Sequence, residues 1–527
     1  ARPMDRRRTS VDRAAPRVAL VASVASFVFV ALVAATPGSP FTPLLPSQPG
    51  GPFRWVAELT GLDRLHGSAL AAVGVVAVSF AAVAFLLVVR ECRRGTISPR
   101  TTIGLAVGYH VALLFLPLLF SRDVYSYAYY GKIAAVYHAN PYVVTPADYP
   151  NDVLASFVGP KWVDTPAVYG ALWTQVSAVV ARVADDLDAI VSTFRVIAIA
   201  ASLATVFVVA GLVRRVRPER EAFAVALVGL NPVVLFQSAA SGHNDLLVAL
   251  AIAVALALVF SGRELWATAA LALGTLVKVT VAVPLLLLWV AVAARRPRGR
   301  RVRALAPHVV LAGAFALVTV APFANTADPT LGVVELGSHE GWLAPSRLFR
   351  RLFDALSGDV LGFVPRIAFA VVAVIAVFLV ARALWRRRPE IGSALVGASW
   401  GWGLLCLMLL GPVLLPWYVT WALPLGWLLP RVPRTVLIGT GLALTVSQWT
   451  SEPAAFASAY DANLLFGHYV VTPVVIALLG WLLLDLWRRS RSGAPLEDEP
   501  TEVPSAARQR GGGDRGPRPE PNADRVE

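Results

Sequence analysis

The stretch TTIGLAVGYHVALLFLPLLFSRDVYSYAYY, residues 101–130, decides how this chain is read. Residues 101–120 are mostly apolar, enough as a helix to cross a hydrocarbon core of about 30 Å. Arg122-Asp123 follows directly. A carboxylate where a span leaves the bilayer is costly unless hydrated or partnered, so Asp123 is a candidate functional acid. The plainer reading is an interfacial charge pair that anchors the span. Similar apolar runs recur through the 527 residues, which are 57% hydrophobic and 15% charged, with mean hydropathy +0.64. Soluble domains carry roughly 25% charged residues, so the composition predicts an all-α polytopic membrane protein.

The net charge of +14 points to nucleic acid only until it is mapped. Arginines gather in short loops at 6–8, 90–94, 214–220, 295–303 and 386–388. That is the positive-inside pattern, and it supplies no contiguous face for nucleic acid. Expected spans are 18–36, 68–89, 101–120, 190–213, 221–237, 244–261, 303–321, 364–385, 392–411, 414–430, 433–449 and 466–487. The block 264–294 has inside signals at both ends, Gly262-Arg263-Glu264 and Arg295-Arg296-Pro297-Arg298. A single span cannot satisfy both, whereas two short helices broken near Lys278-Val279-Thr280 can, and broken helices are tolerated where they line a cavity. The total is 12–14 helices with both termini inside. The division is a basic tail at 1–17, a transmembrane unit at 18–487 and a Pro-, Gly-, Arg- and Glu-rich tail at 488–527, expected to be disordered. The apolar stretch 18–35 is too long for a signal core and is expected to be retained.

Residues 121–189 form a loop expected to be folded on the outer side. A helix over 123–138 puts Asp123, Tyr127 and Gly131 near one face, and Asn140-Pro141 ends it. A second helix is expected from Thr165 as cap and Pro166 as first residue, with Val168, Leu172, Val176, Val179 and Val183 as an apolar stripe lying on the membrane. Tyr125, Tyr127 and the other aromatics of this loop read first as belt anchors and second as sugar-stacking faces.

Further candidates sit at outer boundaries. Gly242-His243-Asn244-Asp245 opens a span, either as a simple helix cap or as a polar cluster facing a cavity. Lys278 stands inside a 31-residue apolar block, where a charge needs a purpose such as holding phosphate. The loop carrying Glu335, His339, Glu340 and Arg347 mixes acid, imidazole and guanidinium, and also reads as a solvated loop. Pro416-Trp417-Tyr418 opens another expected span, and an aromatic belt accounts for it equally well. Cys92 and Cys406 give no disulfide or zinc framework. No Walker motif or nucleotide-binding glycine loop is present, which argues against an ATP-driven pump and against a soluble nucleotide-sugar domain.

Asp123-Val124-Tyr125-Ser126-Tyr127-Ala128, Asn140-Pro141-Tyr142, Gly242-His243-Asn244-Asp245 and Pro416-Trp417-Tyr418, in this order and at these boundaries, resemble the actinobacterial polyprenol-phosphate-mannose-dependent α-1,6-mannosyltransferases. Those enzymes have the membrane-embedded C-type glycosyltransferase fold, and the resemblance spans roughly residues 18–487. It implies a polyprenyl-phosphate-mannose donor, a mannan or glycolipid acceptor, membrane lipid around the chain, and inverting transfer on the extracytoplasmic side of the plasma membrane. It implies Asp123 as base, with Asp245 or Glu335 as a second acid. Lys278 and an arginine, Arg122 or Arg347, would meet the phosphate, and Tyr125, Tyr127, His243, Asn244, His339, Trp417 and Tyr418 are further substrate-binding candidates. Some relatives bind a divalent metal at the donor phosphate; no clear ligand set is visible, so that stays open. The competing readings are transfer of arabinose, transfer of mannose to protein, and a lipid or sugar transporter with broken helices.

Overall fold

The structure is a computed structural model that describes residues 10–45, 58–184, 186–324, 339–341, 343–358, 360–388, 391–450 and 453–498. It is all-helical, with no strand among the described residues. Among the described residues, eight helices are long and apolar enough to cross a membrane. Four shorter apolar helices accompany them.

The first layer is α1 (Ser10–Ala35) packed along α2 (Gly67–Arg93). α3 (Pro99–Leu113) starts on Ser98, whose Oγ accepts from Thr101 N at 3.1 Å, with Pro99 at the first helical position. It stops seven residues before the expected end of span 101–120, ahead of Pro117. The carbonyls freed by this early stop need donors. Buried Arg195 from α6 (Leu187–Val216) supplies them, donating to Leu113 O at 2.6 Å and Leu116 O at 2.7 Å. Phe120 then takes a left-handed turn at φ 58°, and Ser241 Oγ donates to Leu119 O at 2.6 Å. A non-glycine in that region costs free energy and marks a conformation its surroundings enforce. Here it aims the chain into α4 (Asp123–Ala135).

α4 pairs closely with α5 (Ala171–Val183). α5 begins five residues later than expected, on Gly170 rather than Thr165. Pro166 belongs instead to an extended approach, where Ala167 N donates to Pro141 O at 2.8 Å. The buried face of α5 is Trp173, Thr174, Ser177 and Ala178, while Val179 and Val183 of the expected stripe are exposed. Ser177 and Ala178 sit against Gly131 because the helices almost touch there: a Cβ on Gly131 would lie 2.2 Å from Ser177 O. Tyr125, Tyr127, Tyr129 and Tyr130 are buried, so they tie the loop together rather than serving as belt anchors. Tyr130 OH donates to Thr165 O at 2.8 Å and Tyr142 OH to Tyr169 O at 2.7 Å. Each such bond is worth about 1 kcal/mol net.

α7 (Glu221–Gly229) gives way at Asn231-Pro232 to a π-helical turn, Val233–Ala239, of the kind often found beside functional sites. α8 (Asp245–Phe260) follows. The 264–294 block is two helices, α9 (Glu264–Val277) and α10 (Ala282–Ala294), broken at an extended Lys278 (φ −152°, ψ 123°), as the charge pattern predicts. α11 (Arg301–Val320), α12 (Pro345–Ser357), α13 (Phe363–Arg386) and α14 (Ser393–Leu410) come next. Val310, Leu317, Val374 and Phe378 on α11 and α13 are exposed, an apolar surface suited to lipid.

Residues 414–430, expected as a span, are not one. They fold as buried 3-10 turns, Pro416–Trp421 and Leu423–Leu425, because Pro416, Pro424 and Gly426 interrupt the run. α15 (Arg431–Ser447), α16 (Ala457–Phe466) and α17 (Thr472–Ser492) complete the bundle. Order continues past the expected tail boundary at Arg488. Leu496 is buried, and Asp498 pairs with Arg220 at 2.8 Å and Arg434 at 3.0 Å. Those arginines mark the end of the bundle away from Asp123.

Candidate active site

The start of α4, the turn before α8, the break between α9 and α10, and the 416–421 turn meet in one cleft. Gly242 makes the turn possible. Its φ is +70°, and a Cβ there would meet Val124 Cγ1 at 2.7 Å. The turn therefore lies directly on the first residues of α4, bringing His243 Nδ1 to 3.4 Å from Asp123 Oδ2 and 3.5 Å from Tyr127 OH. The His243 ring stacks on Trp417, with centroids 3.9 Å apart and an interplanar angle of 20°. Its Nε2 is buried with no hydrogen-bond partner.

Asp245 is fully buried, and a carboxylate there needs a partner. Lys278 Nζ donates to its Oδ1 at 2.7 Å, and Trp421 Nε1 donates to the same oxygen at 2.6 Å. The lysine also lies 4.6 Å from the Tyr418 ring centroid and 5.4 Å from that of Trp421. Asp245 Oδ2 and both side-chain polar atoms of Asn244 are buried without partners. Lys278 has three N–H donors and gives one to Asp245, which leaves others for a ligand. The break itself is clamped to the loop: Gly170 N donates to Val277 O at 3.1 Å.

Asp123 keeps 22% of its side chain exposed, so it faces an opening rather than a sealed core. Burial pushes its carboxyl up to about 6. The Lys278 charge and the hydroxyls of Ser121 and Tyr169 pull the other way, and the Asp245 charge adds to the rise. A base with a pKa near neutrality is well matched to taking a hydroxyl proton.

Beside Lys278 runs a cavity of about 340 Å³. Its walls are mostly apolar, among them Val168, Leu276, Val320, Leu407 and Met408, and Lys278, Tyr418 and Trp421 also line it. The cleft thus combines a partly open carboxyl, a cation with unused donors and an apolar slot.

Asp123, Tyr127, His243, Asn244, Asp245, Lys278, Trp417 and Tyr418, all candidates from their sequence context, come together here. Tyr125 turns away to pack on Phe157 at 5.3 Å. Arg122 donates to the Leu44 carbonyl on the segment after α1. His339 and Arg347 belong to a second group, in which His339 stacks on Trp162 at 4.9 Å. Glu335 lies outside the described residues. Trp421 and Tyr169 are additions. The Trp421 bond to Asp245 joins residues 176 apart, so no local spacing signals it. Among the described residues no three His, Cys, Asp or Glu side chains converge as metal ligands.

Comparison with known families follows the same lines. A model described as glycosyltransferase family 87 matches residues 187–412, under half of the chain. A second model, described as alpha-(1->6)-mannopyranosyltransferase, N-terminal domain, matches residues 20–295, more than half of the chain, and the chain belongs to that family. Alpha-(1->6)-mannopyranosyltransferase A of Mycobacterium tuberculosis is 26% identical over 387 residues, covering 71% of this chain and 73% of the relative. No solved structure matches the chain.

Proposed function

We propose that the chain transfers mannose from polyprenyl-phosphate-mannose to an α-mannan or lipomannan-type acceptor, forming α-1,6 linkages with inversion at the outer face of the plasma membrane. The observation that carries this reading is the cleft itself: a partly exposed carboxyl, Asp123, shares it with Lys278, which also lines an apolar cavity.

The chemistry follows from that arrangement. The acceptor's primary hydroxyl oxygen bonds to the anomeric carbon while the bond from that carbon to the phosphate oxygen breaks. The electron pair leaves with polyprenyl phosphate, and the hydroxyl proton passes to Asp123. Lys278 stabilises the charge growing on the leaving phosphate, in a site whose apolar walls strengthen the interaction. The first isoprene units lie in the cavity past Leu276 and Met408. The buried Trp417 ring stacks on His243 and holds the imidazole beside Asp123. Asp245 holds Lys278 in place and buries its own charge in doing so.

The test is incubation of detergent-purified protein with radiolabelled polyprenyl-phosphate-mannose and short α-mannoside acceptors. Transfer with an α-1,6 product supports the reading. Donor binding without transfer to any mannoside would sink the acceptor assignment. Failure to bind the donor at all would sink the donor assignment.

A further inference from the structure

A second charged group, Lys161, Arg347 and Arg351, gathers where α12 meets the turn Pro160–Trp162, and none of the three lines the Lys278 cavity. α12 is amphipathic in an unusual sense. Phe349, Leu352 and Leu356, spaced for one helix face, are exposed, whereas Arg347 and Arg351 project from the opposite face. The helix therefore turns apolar residues outward on one face and carries its cations on the other, with Arg347 and Arg350 half-buried and Arg351 exposed.

The cations of that face are unevenly matched. Arg350 is held by Glu340 at 2.6 Å and by Asp354 at 2.6 Å. Arg347 and Arg351 gather with Lys161, which the stacking of Trp162 on His339 brings against the approach to α12. Burial, then the Arg347 charge, holds the Lys161 ammonium below its ordinary value. Burial, then the Arg351 charge, does the same to Arg347, with Glu340 opposing. Arg347 Nε and Ser346 Oγ are buried without hydrogen-bond partners, and Ser346 is only 1% exposed. Crowded cations with unused buried donors call for an anion with several acceptor oxygens.

We propose that this group binds the phosphate of an anionic phospholipid from the surrounding leaflet, as a lipid site distinct from the donor site at Lys278. The phosphate oxygens take Arg347 Nε, Arg351 and Lys161, and the acyl chains run along Phe349, Leu352 and Leu356. The exposed apolar face is what favours a lipid phosphate over a soluble one. The site does not depend on the proposed transfer reaction, so either reading can fail alone.

The test uses the full chain in nonionic detergent and counts bound lipid by native mass spectrometry. The probes are phosphatidylglycerol, phosphatidylcholine, polyprenyl phosphate and inorganic phosphate. Wild type is expected to bind phosphatidylglycerol about tenfold more tightly than phosphatidylcholine, as charge-assisted contacts warrant. Arg347→Gln with Arg351→Gln is expected to abolish that preference, and Arg351→Gln alone, at an exposed position, to weaken it severalfold. Arg64→Gln, an exposed arginine in another loop, should leave it unchanged. If the double variant does not fold, the Arg351→Gln result decides. Equal binding of the two phospholipids, or undiminished preference in the variants, overturns the proposal. So does loss of polyprenyl phosphate binding with phosphatidylglycerol binding intact, which would assign the cluster to the donor. Binding of inorganic phosphate as tight as that of phosphatidylglycerol would overturn the lipid assignment.

Discussion

Replacing Asp123 with Asn is expected to make the folded protein more stable at neutral pH while removing the proposed base. Burial lifts the carboxyl from 3.8 to about 6. Between those values the native chain keeps a proton that the unfolded chain releases. The sign is therefore fixed: the contribution of this group is complete below about pH 4 and is lost as pH rises through about 6. Each pH unit between the two values is worth about 1.4 kcal/mol, so holding the carboxylate ionised at pH 7 costs about 3 kcal/mol. Asparagine is neutral at every pH and avoids that cost, while keeping an oxygen for Ser121 and Tyr169. The assay is thermal unfolding of wild type and Asp123→Asn side by side in detergent, from pH 4 to 7.5. Other carboxylates titrate in both proteins, so the difference between them isolates position 123. The variant should match wild type near pH 4 and melt progressively higher relative to it above pH 6. A variant that melts lower at pH 7, or a difference that does not change with pH, would refute the reasoning.

Transfer by the wild type should rise with pH through about 6 as Asp123 ionises, with kcat/KM at pH 5 about a tenth of its plateau; a flat profile between pH 5 and 7 would count against Asp123 as base. Lys278→Met strands the buried Asp245 carboxylate and should cost about 3–5 kcal/mol, seen as a lower melting temperature. Adding Asp245→Asn should restore most of that stability without restoring donor binding, and restored binding would show that Lys278 is structural only. Gly131→Ala should destabilise the loop by about 1–3 kcal/mol, because α4 must move away from Ser177; a melting temperature equal to wild type would mean the two helices are not so closely seated.

The membrane architecture was legible because hydropathy and arginine placement are strong signals. The break at Lys278 followed from two basic flanks that a single span could not reconcile. The Asp123 and Gly242–Asp245 segments stood out because charged or polar residues at span ends need a reason. Apolarity alone misled at 414–430, where Pro416 and Pro424 turn an apolar run into buried 3-10 turns. On α5, Val179 and Val183 of the expected stripe do face outward, whereas Leu172 and Val176 pack partly against the core. Arg195 was invisible as the group that caps α3, since its partners lie 82 and 79 residues away. Trp421 was missed for the same reason. The sequence also could not show that Lys278 is already paired with Asp245, which makes it a shared cation rather than a bare one.

The central claim is that Asp123 takes the acceptor proton in a cleft that binds a lipid-linked sugar phosphate. The most direct measurement is single-turnover mannosyl transfer by wild type and Asp123→Asn, with donor affinity measured on the same preparations. The account predicts a fall of about 10²–10⁴ in the transfer rate, the usual contribution of a positioned base, with donor affinity unchanged. A variant that transfers at the wild-type rate would contradict it, as would one whose whole defect lies in donor binding.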